Sequence, residues 1–225
     1  ISMLIFFLMV LSAMAIFPGM NDVEAKPPLF RNAAGWAADT LDSHGSVGSF
    51  NSIGIAPDGT AHVVYFDVTN EQLKYATDLG GMWSTTVIDN DGHVGSHASM
   101  DLDSNGKVHA VYYYSQDPPS LLYITNAEGN WTREVVETNR MVVNTDLVMD
   151  AEGKAHISYY DDYSDDLRYA TNAGGLWTTE LVDGEGDVGH DSAIAIDSHG
   201  VVHITYYDTG NGNLKYAKNV DGEWT

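Results

Sequence analysis

The sequence contains no cysteine and few basic residues: 10 lysines and arginines stand against 32 aspartates and glutamates. Without cysteine the chain has no disulfides, no thiolate metal ligands and no cysteine nucleophile. Its formal net charge of −22 repels the phosphates of DNA and RNA, so no nucleic-acid partner is expected. The motifs G-x-S-x-G and H-E-x-x-H and the phosphate-binding loop are also missing. The sequence therefore argues against cysteine-dependent enzymes, nucleic-acid-binding proteins and enzymes built on these three motifs.

What the chain does contain is typical of short strands joined by tight turns. It has 13 tyrosines, 5 tryptophans and 22 glycines, and most of its acids are aspartate. Tyrosine and tryptophan favour strands, whereas glycine and aspartate favour turns. A hydrophobic content of 44% over 225 residues is enough for a large folded domain. The composition therefore predicts an all-β protein.

The first 25 residues have the pattern of a targeting segment. Residues 1–17 are apolar except for two serines, and Pro18 and Gly19 interrupt the run. Small-residue patterns that suit cleavage follow at Ala13–Ala15 and Val23–Ala25. We predict a signal peptide over 1–25, with an uncleaved anchor as the alternative, and a linker over 26–35. Both alternatives place the domain outside the cytoplasm, as a secreted, cell-surface or periplasmic protein, and only an uncleaved segment would contact a membrane.

The rest of the chain is a repeat of about 47 residues, marked by one tryptophan and one histidine per unit. The tryptophans recur at spacings of 46 to 48 residues and the histidines at 47. These marker residues are Trp36, Trp83, Trp131, Trp177, Trp224, His62, His109, His156 and His203. Because they repeat in every unit, we interpret them as structural residues of the repeat.

Each unit contains four strand-like segments. The first has small side chains, as in Ser192–Ile196, and we expect it to be innermost, whereas the tryptophan-led fourth should be outermost. A D-x-x-G turn, replaced by A-P-D-G in the first unit, follows the first segment. Four strands in 40–50 residues predict a β-propeller blade. The predicted propeller covers 36–225, with blades at about 48–89, 95–137, 142–182 and 189–225. Residues 36–41 form an outer-type strand that precedes any inner strand, so we expect them to complete the last blade. Four blades are visible, which predicts a truncated ring of five to seven blades.

The repeated string G-x-V-G … D-x-x-G-x-x-H-(I/V)-x-Y-Y-D … L-K-Y-A … W-T resembles two propeller families over 36–225. These are the BNR/Asp-box sialidase-like propellers and the fucose-specific-lectin-like propellers. The resemblance is one of architecture. It implies either a lectin-like binding module or a glycoside hydrolase.

Two sets of loops should open on one side of the disc and gather many acids there. As ligand-binding residues in these loops we predict Asp67, Asp161, Asp208, His44 and His93. A second acidic group comprises Asp89, Asp91, Asp183, Glu185 and Asp187. Such a group is compatible with a solvated surface, with bound calcium or with a basic partner. Calcium is the one cofactor that the sequence suggests.

Catalysis would need residues that depart from the repeat near the mouth of the axial channel. At one register of the inner strands stand Phe50, His97, Asn144 and Asp191, and Asp146 stands two residues after Asn144. The carboxylates of Asp146 and Asp191, with His97, could serve glycoside hydrolysis, or they could simply line a wet channel. Because the repeats are nearly uniform, we favour a binding or scaffold module for carbohydrate or an extracellular protein, with the hydrolase as the alternative.

Overall fold

The computed structural model describes residues 38–225, and every regular element in that range is a β-strand. The predicted signal peptide, the linker and Trp36 lie outside the described residues. Within the described range there is no helix of the length and apolarity needed to cross a bilayer. The prediction of an all-β chain is confirmed.

Sixteen strands form four separate four-stranded antiparallel sheets, which we call blades 1 to 4. Blade 1 contains β1 (Val47–Ile55), β2 (Ala61–Asp67), β3 (Gln72–Thr77) and β4 (Ser84–Asp89). Blade 2 contains β5 (Val94–Leu102), β6 (Val108–Tyr114), β7 (Ser120–Thr125) and β8 (Thr132–Thr138). Blade 3 contains β9 (Val142–Met149), β10 (Ala155–Asp161), β11 (Asp166–Thr171) and β12 (Thr178–Asp183). Blade 4 contains β13 (Val188–Ile196), β14 (Val202–Asp208), β15 (Asn213–Val220) and β16 (Glu223–Trp224).

Consecutive strands pair with each other in every blade, and the first strands of neighbouring blades pack side by side. The first strand of each blade is thus the inner strand, and the tryptophan-led fourth strand is the outer one, as predicted. The D-x-x-G turns close the hairpin between first and second strands: the amide of Gly106 donates to Asp103 O at 2.9 Å, and Gly200 does the same to Asp197 O at 3.0 Å. Four visible blades are confirmed.

The hydrophobic core lies between the blades. Three clusters of buried side chains each draw on two consecutive blades. Tyr112, Tyr159 and Ile157 are among the largest side chains that are fully buried there. Strands such as β6 and β10 are buried on both faces, because each has a neighbouring blade on either side. A blade therefore depends on its neighbours for its stability.

The repeated aromatic residues form the outer part of each junction between blades. Tyr75, Tyr123 and Tyr169 meet the tryptophan of the following blade edge to face, with ring centroids 5.1 to 5.2 Å apart. Each tyrosine hydroxyl also bonds Nδ1 of the repeated histidine in its own blade, at 2.6 Å for Tyr75 and His62. Each of these tyrosines therefore links the repeated histidine of its own blade to the repeated tryptophan of the next blade.

A second repeated contact joins the outer strands of blades 1 to 3 to the following blade, and Asp42 makes the same contact with blade 1. The hydroxyls of Tyr65, Tyr112, Tyr159 and Tyr206 donate to carboxylates that precede them by 22 or 23 residues: Asp42, Asp89, Glu137 and Asp183. We call these four pairs the acid–tyrosine latches. A cation accompanies each acid: Lys74, Arg133, Arg168 and Lys215. Burial and the nearby carboxylates raise the pKa of all four hydroxyls, which remain protonated donors.

Asp42 occupies, for blade 1, the place that the end of an outer strand occupies for the other blades. It accepts from Tyr65 and from Lys74, although residues 38–41 form no strand. Asp42 therefore contacts blade 1 as the acid at the end of a preceding blade's outer strand would. That residues 36–41 complete the last blade of a ring stays a prediction, because residues 36 and 37 lie outside the described range.

Candidate functional site

On one side of the four blades, the loops are hydrogen-bonded to each other in pairs. The loop that follows each second strand donates a backbone N–H to the loop that precedes the first strand of the same blade. These bonds are Val68 to Ser46, Ser115 to His93, Asp162 to Met141 and Thr209 to Asp187, at 2.8 to 3.2 Å. The two sets of loops thus form one surface, which we call the loop face.

Near the loop face, each inner strand bulges and presents one residue with a left-handed backbone. These residues are Phe50, His97, Asn144 and Asp191, with φ between 48° and 52°. The pairing of each inner strand with its second strand shifts register at this point. A left-handed backbone is uncommon outside glycine, is better tolerated by asparagine, aspartate and histidine than by other residues, and is often found at binding sites. We call these four residues the axial row.

The axial row is continuous from blade to blade. The rings of Phe50 and His97 lie 4.5 Å apart between centroids. The backbone N–H of Asn144 donates to His97 Nδ1 at 3.4 Å, and its side-chain Nδ2 donates to Asp191 Oδ1 at 3.1 Å. Burial lowers the pKa of His97, which favours the neutral ring. One row thus presents an aromatic ring, a neutral imidazole, an amide and a carboxylate.

Asp146, the other predicted catalytic carboxylate, accepts hydrogen bonds from the inner strands of the two neighbouring blades. Its Oδ1 accepts from Ser99 Oγ at 3.1 Å, and its Oδ2 accepts from the backbone N–H of Ile194 at 3.0 Å. At the same register Ser52 and Ser99 accept the N–H of the following inner strand. Burial raises the pKa of Asp146, while these hydrogen bonds oppose the rise. Asp146 therefore does for blade 4 what the two serines do for blades 2 and 3.

The predicted loop residues are placed unequally. Asp67, Asp161 and Asp208 end the second strands, are at most 4% exposed and accept hydrogen bonds from their own loops. These buried carboxylates hold the loops in place through hydrogen bonds. His44 is exposed and bonds Asp42, whereas His93 is half-exposed and pairs with Glu71 at 3.0 Å. The two histidines are the members of this set that face solvent.

The predicted metal-ligating acids mostly have protein partners. Asp89 and Asp183 belong to the acid–tyrosine latches, and Asp91 pairs with Arg133 at 3.0 Å. Asp187 Oδ1 accepts from Tyr160 and contacts His190 Nε2, both at 3.0 Å. The amide of Glu185 donates to Asp183. In residues 38–225 no three acids or histidines are arranged to hold a metal ion.

The sequence interpretation missed the acid–tyrosine latches and their members Asp42 and Glu137. It also missed the contact of Tyr160 with both Asp165 and Asp187 at the junction of blades 3 and 4. A signal for the latches was present, because three of the four acids precede their tyrosine by 23 residues. In the fourth pair the acid is a glutamate, Glu137, and it precedes its tyrosine by 22 residues, so this pair does not match the pattern of the other three.

Acidification should destabilise the fold in two stages. Burial lowers the pKa of His62, His97 and His109. The unfolded chain therefore takes up these protons first, and the free energy of unfolding falls as pH drops below about 6.5. Although burial opposes it, hydrogen bonds led by that of Lys74 lower the pKa of Asp42, so its contribution is lost only below about pH 4.

Thermal melts between pH 7.5 and 3.5 would measure both stages. The substitution His97→Asn keeps a residue that accepts the left-handed backbone and removes one of the three titrations. It should reduce the slope of melting temperature between pH 7.5 and 5.5. An unchanged slope would contradict the assignment of His97 to the first stage.

Added salt should stabilise the protein, because a net charge of −22 makes the folded chain repel itself. We expect NaCl to raise the melting temperature by about 2–4 °C, the equivalent of about 1 kcal/mol for a chain of this size. The calcium alternative predicts an additional rise with CaCl₂ at matched ionic strength. Equal responses to the two salts would eliminate a specific calcium site.

No protein-family model and no curated protein matches the chain, but solved structures match its fold. A protein of unknown function from Dyadobacter fermentans aligns with 79% of this chain and 67% of its own, at 13% identity and TM-score 0.59. A point mutant of the Fusarium graminearum α-L-arabinofuranosidase Arb93a, bound to an iminosugar inhibitor, covers 78% and 63%, at 13% identity and TM-score 0.55. The Podospora anserina α-L-arabinofuranosidase PaAbf62A, bound to cellotriose, covers 83% and 69%, at 15% identity and TM-score 0.51.

This chain spans about two thirds of the length of those structures. At 13–15% identity the likeness establishes the fold. The resemblance to propellers that the repeats indicate is confirmed at the level of architecture.

Proposed function

We propose that the protein is an exported binding module whose axial row recognises a neutral carbohydrate at the loop face. The observation that carries this proposal is the row itself. Four blades place four different residues at one register, each with a left-handed backbone, and each of these residues contacts the next. The apolar N-terminal segment supports export.

The chemistry of the row suits a sugar. A pyranose or furanose ring offers hydroxyl groups around its edge and C–H groups on its faces. Phe50, at 44% exposure, offers an aromatic surface for the C–H groups. Asn144 and Asp191 offer a donor and an acceptor that hold each other in place, which reduces the entropy lost on binding. A small number of fixed polar groups beside an aromatic ring is the usual composition of a ligand site.

Charge narrows the class of carbohydrate. The whole chain carries a net charge of −22, and Asp191 is a member of the row itself. A sugar carboxylate or sulfate would meet repulsion on approach and at the site. Neutral oligosaccharides are therefore the preferred ligands. Two of the solved structures with this fold hold an iminosugar and cellotriose, which adds a weak argument from fold alone.

The hydrolase alternative would require Asp146 and Asp191 to act on one substrate. The raised pKa of Asp146 is what a general acid needs. However, both carboxylate oxygens of Asp146 already accept hydrogen bonds from neighbouring inner strands. Its role is the same as that of the serines at its register, which supports binding over hydrolysis.

A panel of neutral and sialylated oligosaccharides, followed by calorimetry on any ligand found, would test the proposal. Asp191→Asn and Asn144→Gly keep residues that tolerate the left-handed backbone and should each weaken binding about tenfold. Glu152→Gln, on an exposed turn of the opposite side, removes the same charge as Asp191→Asn and should leave affinity unchanged.

Three outcomes would contradict the proposal. Binding that is insensitive to both row variants would place the site elsewhere. Release of a reducing sugar that Asp146→Asn abolishes would favour the hydrolase. A protein ligand that binds while every glycan fails would exclude carbohydrate recognition.

A further inference from the structure

The junction of blades 2 and 3 departs from the repeat at the loop face. In blades 1, 3 and 4 the second strand ends in a buried aspartate, whereas β6 of blade 2 ends in Tyr114. The loop after β6 has five residues, 115–119, where the loops after β2, β10 and β14 each have four. Strand β9 has valine where the other inner strands have glycine as their second residue. These differences make this junction chemically distinct from the other two.

Two tyrosines at the same register show what has changed. Tyr113 and Tyr160 occupy equivalent positions in the second strands of blades 2 and 3. The Tyr160 hydroxyl contacts Asp165 Oδ1, in its own blade, at 2.9 Å. It also contacts Asp187 Oδ1, in the next blade, at 3.0 Å. Tyr160 therefore has acceptors on both sides of its junction.

Tyr113 has neither of these acceptors, because Pro119 and Met141 stand at the positions of the two acids. Its hydroxyl forms no hydrogen bond within residues 38–225, although the residue is only 8% exposed. In that range, the polar side-chain atoms that are both fully buried and unpaired are Nε2 of His109 and of His203. The Tyr113 hydroxyl is therefore reached by solvent. A nearly buried hydroxyl without a protein partner gains free energy when a ligand supplies one.

The residues around this hydroxyl come from the two loops that meet at the junction. The N–H of Asp162 donates to Met141 O at 2.8 Å, which places the two loops side by side. Burial, with Tyr163 and Asp162 close by, raises the pKa of Tyr113. Tyr163 is 62% exposed and Met141 is 37% exposed. We call Tyr113, Met141 and Tyr163 the junction patch.

The junction patch adjoins the axial row at the middle of the row. Tyr113 pairs with Ser96, the residue before His97, and Met141 shortly precedes Asn144. His97 and Asn144 contact each other. The second strand lies outside the inner strand, and neighbouring strands of a sheet are about 4.8 Å apart. A ligand that extends outward from the row between blades 2 and 3 therefore reaches the patch.

The chemistry of the patch suits another neutral sugar unit. The exposed ring of Tyr163 offers a surface for C–H groups, and the Tyr113 hydroxyl offers a donor and an acceptor. The neighbouring Arg140 is occupied, because it pairs with Glu137 at 3.3 Å and with Asp161 at 2.7 Å. An acidic sugar would therefore find no free cation here, and the net charge of −22 would repel it.

We propose that the junction patch is a second sugar subsite, so that the protein recognises neutral oligosaccharides of two or more units in preference to single sugars. This inference rests on the proposed function of the axial row. One unit lies against the row. The next places its face on the ring of Tyr163 and a hydroxyl at Tyr113. These two tyrosines are then the residues that select for chain length.

Binding of single sugars and of their linked chains tests the subsite. The probes are glucose, galactose, mannose, xylose and arabinose, each alone and as chains of two to four units. Calorimetry measures the chains, and NMR titration measures the weaker single sugars. We expect a chain to bind about tenfold more tightly than its single sugar.

Two substitutions remove the patch in parts. Tyr113→Phe removes only the hydroxyl and should weaken chain binding about fivefold. Tyr163→Ala removes the exposed ring and should weaken chain binding about tenfold. Neither should change the affinity for a single sugar. Because the Tyr113 hydroxyl has no partner in residues 38–225, an unchanged melting temperature is expected for Tyr113→Phe.

Two further variants serve as controls. Leu176→Ala removes a side chain of 80% exposure from the turn between β11 and β12, and should leave every affinity unchanged. Asp191→Asn alters the axial row and should weaken single sugars and chains by the same factor.

The outcomes separate this inference from the function on which it rests. If a single sugar bound as tightly as its chains, and Asp191→Asn weakened both, the subsite would be overturned and the function of the row would stand. Chain binding that is insensitive to both tyrosine substitutions would have the same meaning. Failure of every sugar to bind would overturn the function and the subsite together.

Discussion

The substitution Gly189→Ala should lower the free energy of unfolding by about 3–5 kcal/mol, which is a large effect for a single added methyl group. The new Cβ would lie 2.8 Å from the Cα and 2.9 Å from the Cβ of Leu167 in blade 3. Backbone cannot move aside as the end of a flexible side chain can. The left-handed φ of 111° adds strain for any residue other than glycine.

Gly48→Ala is a matched control for this effect. Gly48 holds the same register as Gly189 and also has a positive φ, of 94°, but nothing in residues 38–225 lies within 4 Å of its added Cβ. Its substitution should cost only the backbone strain, about 1–2 kcal/mol. Urea denaturation of both variants gives the two costs. If they were equal, close packing between blades would not be the reason that glycine stands at this register.

Asp161→Asn should be the second most damaging change, with an expected loss of about 2–3 kcal/mol. The Asp161 side chain is wholly buried, and its Oδ2 accepts from Arg140 Nη1 at 2.7 Å and from Ser164 Oγ at 2.9 Å. An amide in its place would turn donors toward the guanidinium or lose one of these bonds. Arg140 is partly exposed, and solvent therefore moderates the cost.

The neighbouring substitution Asp162→Asn removes the same charge from an exposed position. Because it relieves repulsion in a strongly acidic chain, it should leave stability unchanged within about 0.5 kcal/mol or raise it slightly. Chemical denaturation of the pair therefore separates a buried hydrogen-bonded carboxylate from a solvated one. Equal effects would mean that Asp161 contributes only through its charge.

The architecture could be predicted from the sequence because a repeat restates the same evidence four times. The tryptophans located the outer strands, and the small residues of segments such as Ser192–Ile196 located the inner ones. The register of the axial row was also visible, since Phe50, His97 and Asn144 follow one another at intervals of 47 residues. Periodicity shows which residues occupy equivalent positions in the repeats, and in a repeat protein these equivalences largely determine the fold.

The contacts of individual carboxylates could not be predicted in the same way. Asp146 looked like an exception to the repeat, yet it accepts the same kind of backbone N–H as Ser52 and Ser99. Asp89 and Asp183 looked like free acids in a loop, yet each accepts from a tyrosine of the next blade. Side chains of different types can accept the same hydrogen bond at equivalent positions. Comparison of the repeats in sequence shows only that the residue types differ.

The left-handed backbone of the axial row restricts which residues can occupy these four positions as the protein evolves. Asparagine, aspartate, histidine and glycine accept such a φ most readily, whereas valine, isoleucine and threonine do not. Three of the four row positions already hold a residue from the tolerant set: His97, Asn144 and Asp191. Duplicated blades can therefore exchange only a few small polar side chains at these positions, and a randomised library there would return folded members drawn mainly from that restricted set of residues.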